Sequence, residues 1–367
     1  MSPLNSRLRR LLIGAALAAV MLPLAACGGS AGSGDDATIE LTVTTTVGEN
    51  LNDDWVWMAD EITKRTDGRV TFKTFYNGSL VGAPEALQAV QDGRADIGWI
   101  SPTYQPADFP VWGVGQLQYV TDNPEAASQA LHDMYDAGGP LTQDFDDSDV
   151  HPIGFLVFGP NVVGTSKPIT STKDLKRLLM RSGGTSDDIL KAAGATPIDM
   201  PVNEVYEGLQ RGTIDGFTQL PFVISAYLGL PEVTPYLTDI GSGPYASVAY
   251  GMNKDVWEDL PEDVQQVFND VSAEFTSKYY EIQNKWNDDA CKVYQKSDTK
   301  ISQLPQTDID ELTDLSINTL VDDWKAMSVK AGFKRGDIDT FYDDYTKAIE
   351  TAKPNATTYE NPFESCS

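Results

Sequence analysis

Cysteine, histidine and positive charge are all scarce in this chain. It has three cysteines and two histidines in 367 residues. Neither His132 nor His151 stands in a motif, so each reads as a surface or core residue rather than a base or a ligand. There is no Cys-x-x-Cys, no His-Glu-x-x-His, no phosphate-binding loop and no dinucleotide fingerprint. The usual signatures of redox pairs, zinc hydrolases and nucleotide enzymes are therefore missing, and no cofactor is expected. Acids are so abundant that paired carboxylates for glycoside chemistry carry no information. Acid-rich stretches such as 144–149 read as solvated loops.

Basic residues number 27 against 54 acidic ones, a net charge of −27. Such a balance argues against nucleic acid and against docking on anionic lipid. It also disfavours anionic ligands at long range. Salt screens beyond about 8 Å, however, so a cation inside a cleft can still win locally.

Long apolar runs are nearly absent too. The one that stands out, Leu11 to Leu24, follows Arg7, Arg9 and Arg10 and ends in Leu24-Ala25-Ala26-Cys27. It is shorter than the roughly 20 residues of a membrane span. Residues 1–27 read as a secretion signal with a lipobox, Cys27 being the lipidated first residue of the mature chain. An ordinary signal peptide with a chance cysteine is the alternative. Residues 28–37 are rich in Gly and Ser and read as a flexible tether. Without the leader arginines, 24 basic residues face 54 acids, a charge near −30. Lipid, tether and body describe an extracytoplasmic protein held at a membrane. In that oxidising compartment the remaining pair, Cys291 and Cys366, points to one disulfide; two free thiols are the alternative.

What the chain does contain is an internal echo. Glu85, Val90, Gln91, Gly93 and Asp96 recur as Glu204, Leu209, Gln210, Gly212 and Asp215, about 119 residues later. Each set reads as an amphipathic helix, a glycine C-cap and a short strand. Strands are also expected before them, over 70–76 and 196–200. Two such units predict two α/β lobes facing a cleft. Open α/β sheets bind ligands beyond the carboxyl ends of their strands. That rule selects Trp99, Ser101 and Tyr104, then Arg181 ahead of Ser182-Gly183-Gly184, then Gln219 with Phe222 shortly after. From Pro261 onward, Val264, Phe268, Val271, Phe275, Tyr279, Ile282 and Trp286 keep helical spacing for more than 25 residues. Helices are expected over 309–330 and 337–352 as well. The boundaries expected are 38–158 plus about 247–286 for one lobe, and 159–246 plus about 287–367 for the other.

An ordered set of segments carries a family likeness. Glu61 to Val70, Tyr76-Asn77-Gly78-Ser79-Leu80, Asp174-Leu175-Lys176 with Met180-Arg181, Ala193 to Pro197, Asp215-Gly216 and Leu260-Pro261-Glu262-Asp263 together resemble the substrate-binding proteins of tripartite ATP-independent periplasmic (TRAP) transporters, dicarboxylate-binding type. The resemblance spans nearly the whole mature chain. It implies a two-lobed periplasmic-binding-protein-like fold with a long lobe-crossing helix and a helical C-terminal region. It further implies a monomer that closes on a small organic acid and hands it to a membrane permease driven by an ion gradient. In such proteins the residue at Arg181 binds the ligand carboxylate, and a planar guanidinium suits that task. A structural arginine paired with a neighbouring acid is the rival reading. Glu49 and Asn161 join the expected ligand contacts. The chain departs from the family at Gln219, where an Asn is usual, at Pro160-Asn161, where a second Arg is frequent, at Val202, where an aromatic is expected, and at Arg177, where Gly is usual. A binding protein of an ABC importer, a ligand-sensing partner or a secreted hydrolase would fit parts of the same picture. A neighbouring permease or kinase gene separates the first two, and substrate turnover the third.

Overall fold

The computed structural model describes residues 38–366, which form one compact unit. The leader, the tether and Cys27 lie outside the described residues. In chain order the strands are β1 (Ile39–Thr44), β2 (Val70–Phe75), β3 (Ile97–Ile100), β4 (Val150–Val157), β5 (Pro160–Thr165), β6 (Leu179–Ser182), β7 (Thr196–Asp199), β8 (Gly216–Phe217), β9 (Tyr236–Pro244), β10 (Ser247–Asn253) and β11 (Lys300–Gln303). They make two sheets, ordered β2-β1-β3-β10-β4 and β11-β9-β5-β8-β6-β7. β1 runs parallel to β2 and β3, and β6 parallel to β7 and β8. Helices cover these parallel strands, as their buried faces require.

The sequence echo has a structural cause. Gly93 and Gly212 both take the left-handed conformation, each with φ near +69°, that ends the preceding helix. Three residues on, each Asp clamps the start of a neighbouring parallel strand. Asp96 accepts from the Thr42 amide at 2.6 Å and its own amide donates to Thr42 O at 2.8 Å. Asp215 does the same for Leu179, at 2.8 and 2.7 Å. One device thus sets the register of each lobe. Arg177, where the family likeness expects Gly, has φ +71°, the backbone region glycine enters most easily.

Two strands cross between the sheets side by side. β4 passes into β5 through Phe158 and Gly159, and β9 into β10 through Tyr245 and Ala246. The Phe158 amide donates to Ala246 O at 2.9 Å, so the crossings are tied together.

The third bridge is the helix Glu262–Lys296, 35 residues and so about 52 Å long. Pro261 precedes it, two acids fill its first turn and Lys296 stands in its last, all matched to the helix dipole. Val264, Phe268, Val271 and Phe275 of its stripe are buried in the core of the first lobe. Ala290 and Tyr294 are buried in the core of the second, and Trp286 packs against both. Truncating one such aromatic, Phe275→Ala for instance, costs about 3–5 kcal/mol.

The structure departs from two sequence expectations. Residues 144–149 are not a solvated loop: the helix Pro140–Asp147 contains Asp144, which is 1% exposed and accepts from the amides of Val111 and Trp112 at 2.9 and 2.8 Å. The sequence shows acids but not which of them will cap a buried turn. The C-terminal helices also divide. Gln306–Lys330 packs on β9 and the helix Ser186–Ala192 of the second lobe. Arg335–Ala352 instead packs on Pro124–Asp136 of the first, burying Phe341, Tyr345 and Ile349, so residues 287–367 do not all belong to one lobe.

Cys291 and Cys366 are disulfide-bonded and close a loop with a sequence separation of 75. A loop that long restricts the unfolded chain by about 4 kcal/mol in the chain-entropy model. Non-reducing peptide mapping of secreted protein should find the linked peptide, and reduction should lower the melting temperature. Two free thiols in native protein would contradict the pairing.

Candidate functional site

β6 ends between the ends of β7 and β8, and Arg181 sits at that junction. Its Nε donates to Met200 O at 3.1 Å, and its Nη1 to Thr218 O and Gln219 O at 3.1 and 3.2 Å. These carbonyls belong to the residues just beyond the carboxyl ends of the flanking strands, where the sheet rule places a ligand. Among the described residues no acid forms an ion pair with Arg181. Burial pulls its pKa down from the ordinary value, opposed by the phenols of Tyr245 and Tyr104 and then by Asp199 and Asp187. The backbone dipoles orient the guanidinium but do not neutralise it. A half-buried cation in that condition gains from a bidentate carboxylate.

Asn161 has a different task from the ligand contact expected of it. It is fully buried, accepting from the Thr218 hydroxyl at 3.0 Å and the Gln219 amide at 2.7 Å. It donates to Gln118 Oε1 at 3.1 Å and Ser186 Oγ at 3.3 Å. With its amide spent, it fixes Gln219 in a left-handed conformation, φ +60°. Gln219 is half-buried, its amide lying over Gly183 and Gly184, where an added Cβ would stand 3.5 and 3.4 Å away.

Ser101 is also engaged: its Oγ lies 2.8 Å from Ser247 O and 3.1 Å from Thr103 Oγ1, and it accepts from the Thr103 amide. Phe222 is a core residue of the second lobe, its ring 4.6 Å from that of Tyr294 and 5.8 Å from that of Phe363. Glu49 is exposed on a short turn, Glu49–Leu51, rather than in the cleft wall. Strand-end position, which selected Ser101 and Phe222, does not tell a wall residue from a strut.

Trp99 and Tyr104 do face the cleft. Tyr104 is 46% exposed, and its pKa, raised chiefly by burial, is pulled back by the charge of Arg181. Its ring centroid lies 6.5 Å from that of Trp99; Trp99 lies 6.3 Å from Phe158, and Phe158 6.5 Å from Tyr245. Beyond Trp99 and Phe158 a slit of about 60 Å³ opens between the lobes. Val47 and Leu51 wall it from the first lobe, Pro221, Val223 and Ile224 from the second, and Tyr279, Gln283 and Trp286 from the long helix. Gln283 Oε1 is buried there without a hydrogen-bond partner. Asp54 closes the far end, 4% exposed and accepting from the Tyr250 hydroxyl at 2.9 Å. Phe158 and Tyr245 were missed in the sequence because each sits at a junction that only the crossing of the strands reveals.

Among the described residues no group of His, Cys, Asp and Glu is placed to hold a metal. His151 is stacked on Trp257 at 3.8 Å, and burial pushes its pKa down to about 4, so it is a neutral core ring.

Two sheets joined by a strand hinge and a crossing helix, with a lone cation at one strand end, define a two-lobed ligand-binding protein. Residues 43–324 match the family of bacterial extracellular solute-binding proteins, family 7 (DctP), and the chain belongs to that family. A solute-binding protein of Albidiferax ferrireducens is 27% identical over 273 residues, covering 73% of this chain and 79% of that one. The crystal structure of a TRAP periplasmic solute-binding protein from Desulfovibrio salexigens superposes with a TM-score of 0.77 at 26% identity, covering 89% of this chain and 99% of that one. A TRAP solute-binding protein from Rhodoferax ferrireducens, in complex with copurified benzoate, does so at 0.76 and 25%, covering 87% of this chain and 100% of that one. The chain is thus a TRAP substrate-binding protein, of a family that binds small acids and does not catalyse. Among the described residues no helix is long and apolar enough to cross a membrane.

Asp54 gives a pH prediction. Burial raises its pKa from 3.8 to about 6, against the Tyr250 hydrogen bond, and likewise raises Asp144 from 3.8 to about 7. Both acids hold their protons more tightly folded than unfolded. Each therefore adds stability below pH 3.8 and loses it as the pH climbs through about 6 or about 7. For Asp54 the change amounts to roughly 3 kcal/mol. The contribution of these acids to the melting temperature should fall from about pH 4 to about pH 7, and Asp54→Asn should flatten part of that slope. An unchanged slope in the variant would show that Asp54 is ionised as readily folded as unfolded.

Proposed function

We propose that this protein captures a small organic acid between its lobes, with the ligand carboxylate on Arg181, and delivers it to an ion-gradient-driven TRAP permease. Cys27 carries the lipid that tethers it outside the cytoplasm. The observation that carries this reading is the half-buried guanidinium held by three backbone carbonyls with no ion-paired acid among the described residues. The benzoate complex of the Rhodoferax relative supports an acid ligand. Gln219, Trp99 and Tyr104 complete the proposed contacts. Ser101, Asn161, Phe222 and Glu49 act as supports or rim.

Truncating one member of a desolvated charge pair costs about 2–5 kcal/mol, so Arg181→Ala should weaken binding roughly 30-fold to several thousand-fold while the protein stays folded. Lysine keeps the charge without the planar fork, and Arg181→Lys should rescue only in part. Isothermal calorimetry against small organic acids, with melting curves of each variant, reads this out. An Ala variant that melts like the parent and binds the same acid equally well would mean that another residue holds the carboxylate.

A further inference from the structure

We propose that the cleft is built for an aromatic monocarboxylate, its carboxylate on Arg181 and its ring on the ladder of Tyr104, Trp99, Phe158 and Tyr245. The proposal rests on the assignment of the carboxylate to Arg181 and narrows the class of acid.

Charge comes first. The walls of the slit contain no lysine or arginine, and their one ionisable acid is Asp54, a carboxyl at the far end. A second carboxylate would leave Arg181 behind and advance toward another acid across an apolar space. Dicarboxylates are disfavoured for that reason.

Wall chemistry comes second. Val47, Leu51, Leu156, Val223 and Ile224 offer side chains with neither donor nor acceptor. The polar side chains among the walls are Asp54 and Tyr250, bonded to each other, Trp286, bonded to Asp53, and Tyr279 and Gln283; the several hydroxyls of a sugar acid would need more partners than these leave open, and an unpaired buried hydroxyl is costly. In the row of four rings, spaced 6.3–6.5 Å from one to the next, Tyr104 and Tyr245 at the ends feel the charge of Arg181, and Trp99 and Phe158 between them line the slit. Such spacing lets ring edges and faces contact a flat guest. The small volume, about 60 Å³ as the lobes stand, favours a compact body.

The placement of the rings adds a constraint on motion. Phe158 and Tyr245 occupy the two strand crossings, so the ladder lies at the hinge itself and a bound ring contacts the segment about which the lobes turn.

The test is calorimetry on the purified protein with phenylacetate, cyclohexylacetate, succinate and gluconate. Phenylacetate should bind about tenfold more tightly than cyclohexylacetate, the saturated ring of similar size, and more than roughly a hundredfold more tightly than succinate or gluconate. Phe158→Leu should erase the preference for the aromatic ring. Tyr104→Leu, at an exposed position that cannot unfold the core, should reduce it. Tighter binding of succinate or gluconate, or equal binding of the two ring acids, overturns the aromatic assignment. In those cases loss of the preferred acid in Arg181→Ala would leave the carboxylate assignment standing. No heat and no thermal shift with any of the four acids would overturn both.

Discussion

A guanidinium gripped by three carbonyls, with no carboxylate paired to it among the described residues, is the constraint around which the cleft is organised. Backbone dipoles at the carboxyl ends of β7 and β8 aim Arg181 and partly replace its water, but they leave its charge in place. Burial works against that charge. A site in this condition is unfinished electrostatically, and a carboxylate completes it with two parallel hydrogen bonds and opposite charge at once. Closing the lobes around such a pair strengthens it by removing water, so ligand binding and closure favour one another. Asn161 belongs to the same design: it holds Gln219, whose carbonyl is one of the three, in a conformation that a non-glycine residue adopts at a cost.

The acid-rich surface shapes how this cation must work. A net charge of −27 repels an anion at a distance. That repulsion is damped beyond about 8 Å at physiological ionic strength, and Arg181 acts within that range. Capture therefore depends on short-range complementarity rather than on steering. A ligand whose remaining body is neutral meets the least resistance on such a surface.

Much of the scaffold is legible in the sequence, because periodicity and capping are local. The echo of Glu, Gln, Gly and Asp identified the two units, and the structure explains its last two letters as a left-handed helix end and a strand clamp. The crossing helix declared itself through one uninterrupted stripe, which serves two cores in succession. Of the proposed site, the sequence points to Arg181 through residue type and to Trp99 and Tyr104 as aromatics near a strand end. Serine, asparagine and phenylalanine near strand ends look alike whether they face a ligand or a neighbouring loop. Ser101, Asn161 and Phe222 turned out to brace the walls. Leu51, Gln283 and Phe158 are far apart along the chain, and nothing local predicts that they share a slit.

The hinge and the binding wall share residues, and this has a mechanical consequence. Phe158 and Tyr245 stand in the two linkers that join the sheets, and the Phe158 amide ties those linkers together through Ala246. Phe158 lines the slit between the lobes, and Tyr245, 8% exposed, packs beside it with ring centroids 6.5 Å apart. The long helix adds a third connection whose residue Trp286 packs against both cores and whose indole nitrogen donates to Asp53 at 3.2 Å. The cores are close-packed and resist deformation, so any change in the angle between the sheets has to be absorbed in the two linkers and in the packing of the helices that touch both lobes, the long helix and Gln306–Lys330, whose Trp324 indole donates to Pro110 O at 2.9 Å. On the proposed placement of the ring, occupancy of the site and the angle between the lobes are linked through Phe158, without any longer chain of contacts between a sensing site and a moving part.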